Sequence, residues 1–256
     1  MKKVTAFVGS ARKGNTYDAV VQFLGNLKAM GDIETEIVRL SEYKLGVCRG
    51  CRLCFEKGEE HCPYKDDRDV LIEKMIASDG VVFASPNYSF QVSGLMKVFL
   101  DRLGFGFHRP RFFGKTYTSI VTQGIYGGGK LVDYLDFVGS ALGFNTVKGS
   151  CLMMLLPMTE KQQKKIDRVL ADQARRYYTT LEKPGYPSPP LIYLWFFRMG
   201  RTKIRLELDD NSRDFTYYRD KGWLESDFYY PTDLGVLKKG AGKLFDSVSA
   251  SMARHR

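Results

Sequence analysis

Apolar positions along the first 160 residues switch repeatedly between a run or period of two and a period near 3.6. Residues 3–9 form a continuous apolar run, the pattern of a strand buried on both faces. In residues 15–30 the side chains Val20, Val21, Phe23, Leu24 and Leu27 predict an amphipathic helix with its apolar face toward a core. Residues 35–40 alternate as a second strand, and residues 66–77 predict a helix whose first turn is acidic, as the helix dipole favours. The pattern then gives a strand at 80–84, a helix at 94–103, a strand at 117–122 and a helix at 129–142. A fifth strand at 146–156 and a long helix at 160–181 complete the series. Five strand–helix units in succession predict an α/β fold, a doubly wound parallel sheet covered by helices on both faces.

The pattern changes after Leu181. The stretch KPGYPSPP places four prolines and a glycine in eight positions and ends the helix. One domain is therefore expected over residues 1–183, with a loop at 46–65, and a C-terminal aromatic-rich extension over 184–256. The extension carries LIYLWFFRMG, DFTYYRDKGW and ESDFYYP before a basic helix near 237–251. It is expected to pack on the core or across a dimer, in preference to the alternative that its basic, aromatic segments rest on a membrane surface.

Composition narrows the class. Hydrophobic residues make up 44% and charged residues 27%, as in a globular chain. No run approaches the roughly 18 apolar residues of a spanning helix, and the N-terminus enters a strand pattern directly, so a cytoplasmic protein without membrane attachment is expected. The net charge of +10 is spread over both halves and no nucleic-acid motif accompanies it. An anionic small molecule or an acidic partner accounts for the charge as well.

Three predicted strand ends carry candidate chemistry. The first strand runs into GSARKGNT, residues 9–16, which opens a helix. Backbone N–H groups there can close around an anion, Ser10 and Thr16 can donate hydrogen bonds, and Arg12 and Lys13 add positive charge. The spacing is neither that of a Walker loop nor G-x-G-x-x-G, which points to one phosphate monoester. The third strand leads into SPNYS, where Pro86 stiffens the chain, Asn87 and Ser89 offer polar contacts and Tyr88 a flat face for a ring. The fourth ends in TQGIYGGGK, whose three glycines permit close backbone approach. In an open α/β sheet such loops meet beyond the carboxyl ends of the strands.

Four of the five cysteines, Cys48, Cys51, Cys54 and Cys62, lie in CRGCRLCFEKGEEHCP, spaced C-x2-C-x2-C with a fourth returning before Pro63. The run resembles the iron–sulfur ligand run of bacterial ferredoxins, with a longer gap before the last cysteine. Zinc and metal-free thiols are the other readings, with His61 a further possible ligand. Cys151, in SCLMMLLP, reads as a small buried hydrophobe.

Taken together and in this order, GSARKGNT, SPNYSFQVSGLMKVFLDR and TQGIYGGGK resemble the flavodoxin-like NAD(P)H-dependent FMN reductases. The cysteine run followed by Asp66–Asp67 resembles their iron–sulfur flavoprotein branch. The resemblance covers residues 1 to about 160 and implies a flavodoxin-like five-stranded sheet of order 2-1-3-4-5, FMN, and a homodimer or homotetramer. It implies that Ser10, Arg12, Gly14, Asn15 and Thr16 hold the phosphate. Pro86, Asn87, Tyr88 and Ser89 would border the flavin ring, with Thr122, Gly124 and Gly127 on its other side. The branch further implies a 4Fe–4S cluster on Cys48, Cys51, Cys54 and Cys62. The expected activity is transfer of electrons from NAD(P)H through FMN to a small acceptor such as a quinone, with no catalytic side chain required. Two other functions are compatible with the motifs: a flavin and iron–sulfur carrier served by a partner such as ferredoxin, and a non-redox interaction module with a structural zinc knuckle. His108, Arg109, Arg111 and Lys115 read either as a site for nicotinamide phosphates or as a solvated basic loop.

Overall fold

A computed structural model describes residues 1–183 and 185–254; Pro184, the expected first residue of the extension, and His255 and Arg256 lie outside the described residues. The chain divides into two compact units, one of Met1–Arg49 with Tyr64–Pro184, the other of Gly50–Pro63 with Gly185–Arg256.

The first unit is built on parallel strands β1 (Lys2–Val8), β2 (Ile33–Arg39), β3 (Gly80–Tyr88) and β5 (Thr116–Gln123), with β6 (Asn145–Thr146) and β7 (Ser150–Met153) both paired to β5. The sheet order is β2-β1-β3-β5-β6, which is the expected 2-1-3-4-5 once the interrupted last strand is counted as one. Its side chains divide by face as the two-residue period requires. Val4, Ala6 and Val8 of β1, with Val82 and Ile120, are buried in one core with α1 (Asn15–Lys28) and α6 (Glu160–Leu181). Phe7 points the other way. Its ring stacks at 5.5 Å on Phe99 of α4 (Gly94–Arg102), while Tyr117 donates a hydrogen bond to the Leu135 carbonyl of α5 (Gly128–Ala141).

Two expectations are corrected here. The strand foreseen at 146–156 is broken at 147–149, because Asp136 of α5 accepts both the Gly149 N–H (3.0 Å) and the Ser119 hydroxyl (2.7 Å) where a ladder would otherwise continue. Burial raises the carboxyl of Asp136 above its ordinary range despite these bonds. Residues 85–88, expected as loop, instead extend β3, which turns at Ser89 and Phe90 into the short antiparallel β4 (Gln91–Val92). Both turn residues have positive φ, 49° and 61°, the sign that a primed two-residue hairpin demands.

In the basic segment after α4, His108 is exposed, but Arg109 is fully buried, and Lys115 donates to the carbonyls of Ile76 and Ser78 at 2.7 Å, at and just past the end of α3 (Arg68–Ile76), so these two do not belong to a solvated loop.

The described residues of the second unit form an α-helical turn, α2 (Leu53–Glu56), a 3-10 turn at Glu59–His61, and three longer helices, α7 (Leu191–Glu207), α8 (Arg213–Asp220) and α9 (Gly235–Arg254). Its core is aromatic: Phe197, Tyr218, Trp223 and Phe228 are buried, and Tyr229 lies edge-on to Phe197 and Trp223 at 4.5 and 4.7 Å. Asp246 of α9 accepts from Arg198, Arg201 and Thr202 of α7 at 2.6–2.8 Å, locking these two helices together. Among the described residues no helix is long and apolar enough to cross a membrane.

Candidate functional site

β1 ends against a glycine for a steric reason. A Cβ on Gly9 would lie 2.7 Å from the Ser93 hydroxyl and 2.9 Å from Met96 Cβ, both at the start of α4. Ser93 uses that proximity, donating to the Gly9 carbonyl (2.5 Å) while capping α4 by accepting the Met96 N–H (3.2 Å). The first and second strand-end loops are thereby joined.

The residues expected to hold an anion surround the N-terminus of α1. Ser10 is buried and donates to the Arg12 carbonyl at 3.0 Å; Arg12 itself is exposed. Gly14 precedes α1 in extended conformation and supplies no side-chain cap, so the first-turn N–H groups have no side-chain acceptor from that position. Asn15 donates to the Met154 carbonyl at 3.3 Å beyond β7, and Thr16 is buried with its hydroxyl 2.6 Å from that of Thr122 on β5. Thus Thr16 and Thr122, expected on separate loops, are in direct contact.

The second and third loops also meet. Asn87 donates through Nδ2 to the Tyr126 carbonyl at 3.0 Å, which orients the amide and leaves its buried Oδ1 without a partner. Such an acceptor costs about 1–3 kcal/mol unless a donor reaches it. Gly127 has φ of +93°, and a Cβ there would stand 3.0 Å from the Phe90 ring. Gln123 accepts the Gly128 N–H at 2.7 Å, fixing the start of α5. Pro86 is buried opposite Thr122 in the β3–β5 ladder, whereas Tyr88, Ser89 and Gly124 are exposed.

Sequence reasoning missed an apolar rim around these loops. Phe90, Ile125, Tyr126, Leu155 and Leu156 are all exposed, and the Phe90 and Tyr126 rings pair at 5.2 Å. The available signal was the placing of large apolar residues beside turn glycines, where a purely structural loop has no use for them. An uncapped helix N-terminus beside hydroxyl and basic side chains, a buried orphan acceptor and a rim of exposed apolar surface fit a molecule with an anionic tail and a flat hydrogen-bonding head. FMN has these properties.

The ends of the cysteine stretch are clamped. Arg102 donates to both carboxylate oxygens of Asp66 (2.5 and 3.1 Å) and to the Gly46 carbonyl (2.9 Å), and its guanidinium lies 4.9 Å from the Tyr64 ring. Asp67 accepts the Lys44 N–H at 2.6 Å. Cys48 and Cys51 are exposed, Cys54 and Cys62 half-buried, and no disulfide joins them. Among the described residues no three His, Cys, Asp or Glu side chains are grouped to hold a metal. The half-buried Cys151 lies close to Gly128, and burial pushes its thiol up.

Residues 2–155 match the family model described as NADPH-dependent FMN reductase. An iron–sulfur flavoprotein of Archaeoglobus fulgidus is 36% identical over 159 residues, 57% of this chain and 70% of that protein. An iron–sulfur flavoprotein of Clostridioides difficile is 30% identical over 198 residues, 74% of this chain and 84% of that one. In fold alone, the chain resembles the crystal structure of RosB with a bound 8-demethyl-8-formylriboflavin-5'-phosphate intermediate, at a TM-score of 0.58, 12% identity and 92% coverage of each chain. From the family match and the two sequence relatives it follows that the chain is an oxidoreductase of the NADPH-dependent FMN reductase family, in its iron–sulfur flavoprotein branch.

Proposed function

We propose that this oxidoreductase binds FMN at the three strand ends, takes electrons from NADH or NADPH, and delivers them to a small acceptor such as a quinone. The observation that carries the reading is the buried Oδ1 of Asn87, an acceptor without a donor between two loops that are otherwise tied together. Ser10, Arg12, Gly14, Asn15 and Thr16 would hold the phosphate at the start of α1, where backbone N–H groups and the helix dipole favour an anion. Pro86, Asn87, Tyr88 and Ser89 would border the ring on one side, and Thr122, Gly124 and Gly127 on the other. When bound, FMN supplies the hydride-accepting centre. The chain's residues have other tasks: Asn87 offers an acceptor to a ring N–H, the Phe90–Tyr126 pair shields the loops from water, and the Thr16–Thr122 contact fixes the phosphate loop against β5.

For the proposed 4Fe–4S cluster, four thiols fit in kind, but their arrangement among the described residues does not assemble a metal site. Cys48, Cys51, Cys54 and Cys62 are its candidate ligands, and no electron-transfer step is assigned to it. A homodimer or homotetramer is proposed with the family reading.

FMN-loaded protein should oxidise NADH or NADPH anaerobically, with bleaching of the flavin absorbance. Failure with both nucleotides overturns the reading, and rapid reduction by ferredoxin in its place is the result expected of an electron carrier.

A further inference from the structure

The outward face of α6 concentrates positive charge that the flavin reading does not use. With 3.6 residues per turn, the buried Ile166, Leu170, Ala174, Tyr177 and Leu181 fall within an arc of about 80°. Lys161, Lys164, Lys165, Arg168, Arg175 and Arg176 fall within an arc of about 120° centred opposite to it, and all six are exposed. The other two exposed residues of the helix are Glu160 and Thr179. From Lys161 to Arg176 the face runs about 22 Å along the axis.

The helix itself is weakened by this arrangement. Lys161 and Lys165, and Lys164 and Arg168, are like charges four residues apart, each pair destabilising a helix by about 0.2–0.5 kcal/mol. Lys161 sits in the first turn, at the positive end of the helix dipole, whereas the last turn, where cations are favoured, has no basic residue. Local carboxylates relieve little of it. Glu160 takes up Lys164 at 2.6 Å and Asp172 takes up Arg175 at 3.3 Å, and among the described residues Lys161, Lys165 and Arg168 have no carboxylate within salt-bridge distance. A face that served solubility alone would intersperse the two signs.

We propose that this face of α6 is a docking surface for an acidic protein. Carboxylates of the partner would meet Lys161, Lys165 and Arg168, and the field of the whole patch would steer the encounter. A membrane is disfavoured because α6 exposes no large apolar side chain that could enter it. The carboxylates argue against nucleic acid. Asp172 lies within the basic arc and Glu160 at its edge; a phosphate backbone has no cation to set against them, whereas a protein can place one there and so fix its register. A second copy is excluded by sign, since an isologous contact would set the six cations against their equals. The inference is independent of flavin binding.

The test is fluorescence anisotropy of a labelled polyglutamate peptide titrated with the full chain, with labelled duplex DNA as the comparison. The peptide should bind at low salt and be released as salt is added. Lys161→Gln with Lys165→Gln and Arg168→Gln should weaken it roughly tenfold, at about two- to threefold per exposed charge. Removing the same charge elsewhere, by Lys221→Gln with Lys239→Gln and Lys243→Gln, should change it by less than about twofold. The α6 variant should also melt no lower than the wild type, because repulsion within the helix is relieved. Absence of peptide binding overturns the proposal, and so does equal weakening by the two variants, which would make net charge the cause. A lowered melting temperature in the α6 variant would give these cations a structural role and overturn it as well. DNA binding that the α6 variant weakens more than peptide binding identifies nucleic acid as the occupant and overturns it too.

Discussion

Replacing Arg102 by methionine should lower folding stability by about 3–5 kcal/mol, because it strips a nearly buried carboxylate of its counter-charge. The Arg102 side chain is 2% exposed and that of Asp66 12%. Methionine keeps most of the apolar stem but none of the donors, leaving both Asp66 and the Gly46 carbonyl short of a partner. Adding Asp66→Asn to the variant should recover part of the loss, since the uncompensated charge then disappears. Urea unfolding of the single and double variants measures both effects, and a loss below roughly 1 kcal/mol in Arg102→Met would mean that the pair is solvated. The pH dependence has a definite sign. Burial alone would raise Asp66, but the hydrogen bonds from Arg102 and from the Gly46 and Arg68 N–H groups outweigh it and hold the carboxyl below its ordinary range. A depressed folded value means that the pair's stabilisation is fully present above the unfolded carboxylate range. It is lost as pH falls through that range to the lowered value.

Gly127→Val should raise the Kd for FMN by roughly 30-fold or more. A β-branched residue at a φ of +93° is strained by about 1–3 kcal/mol, and its Cβ would in addition press on Phe90 at 3.0 Å. Relief of both requires the 124–128 loop to move away from Asn87 and Phe90. Gly129→Ala is the control: it lies within α5, has no positive φ, and nothing stands within 4 Å of its added methyl. It should leave FMN affinity unchanged and add stability of about 0.5–1 kcal/mol. Fluorescence titration of apo-protein with FMN reads both variants, and equal affinities would place the flavin away from this loop.

What was legible in the sequence followed from local pattern. β1 announces itself by an unbroken apolar run, α1 and α6 by helical spacing, and the turn between β1 and α1 by small and hydroxyl residues between strand and helix. The failures came from residues distant in the chain. Asp136 interrupts the last strand from a different element, and nothing within residues 146–156 encodes that. Pro86 marked a loop, yet β3 tolerates it because pairing with β1 stops at Ala84 and only β5 continues alongside. The Arg102–Asp66 clamp joins residues 36 apart with no local signature. α7 was missed because apolar residues occupy both its buried and its exposed sides, which blurs the period.

The claim that the α1 N-terminus holds the phosphate of a flavin bound at three strand ends is tested most directly by calorimetric titration of apo-protein with FMN and with riboflavin, which differ by that phosphate alone. One FMN per chain should bind, at least about 100-fold more tightly than riboflavin, as two charge-assisted hydrogen bonds to a phosphate would give. Equal affinity for the two flavins, or no binding of either, would contradict it.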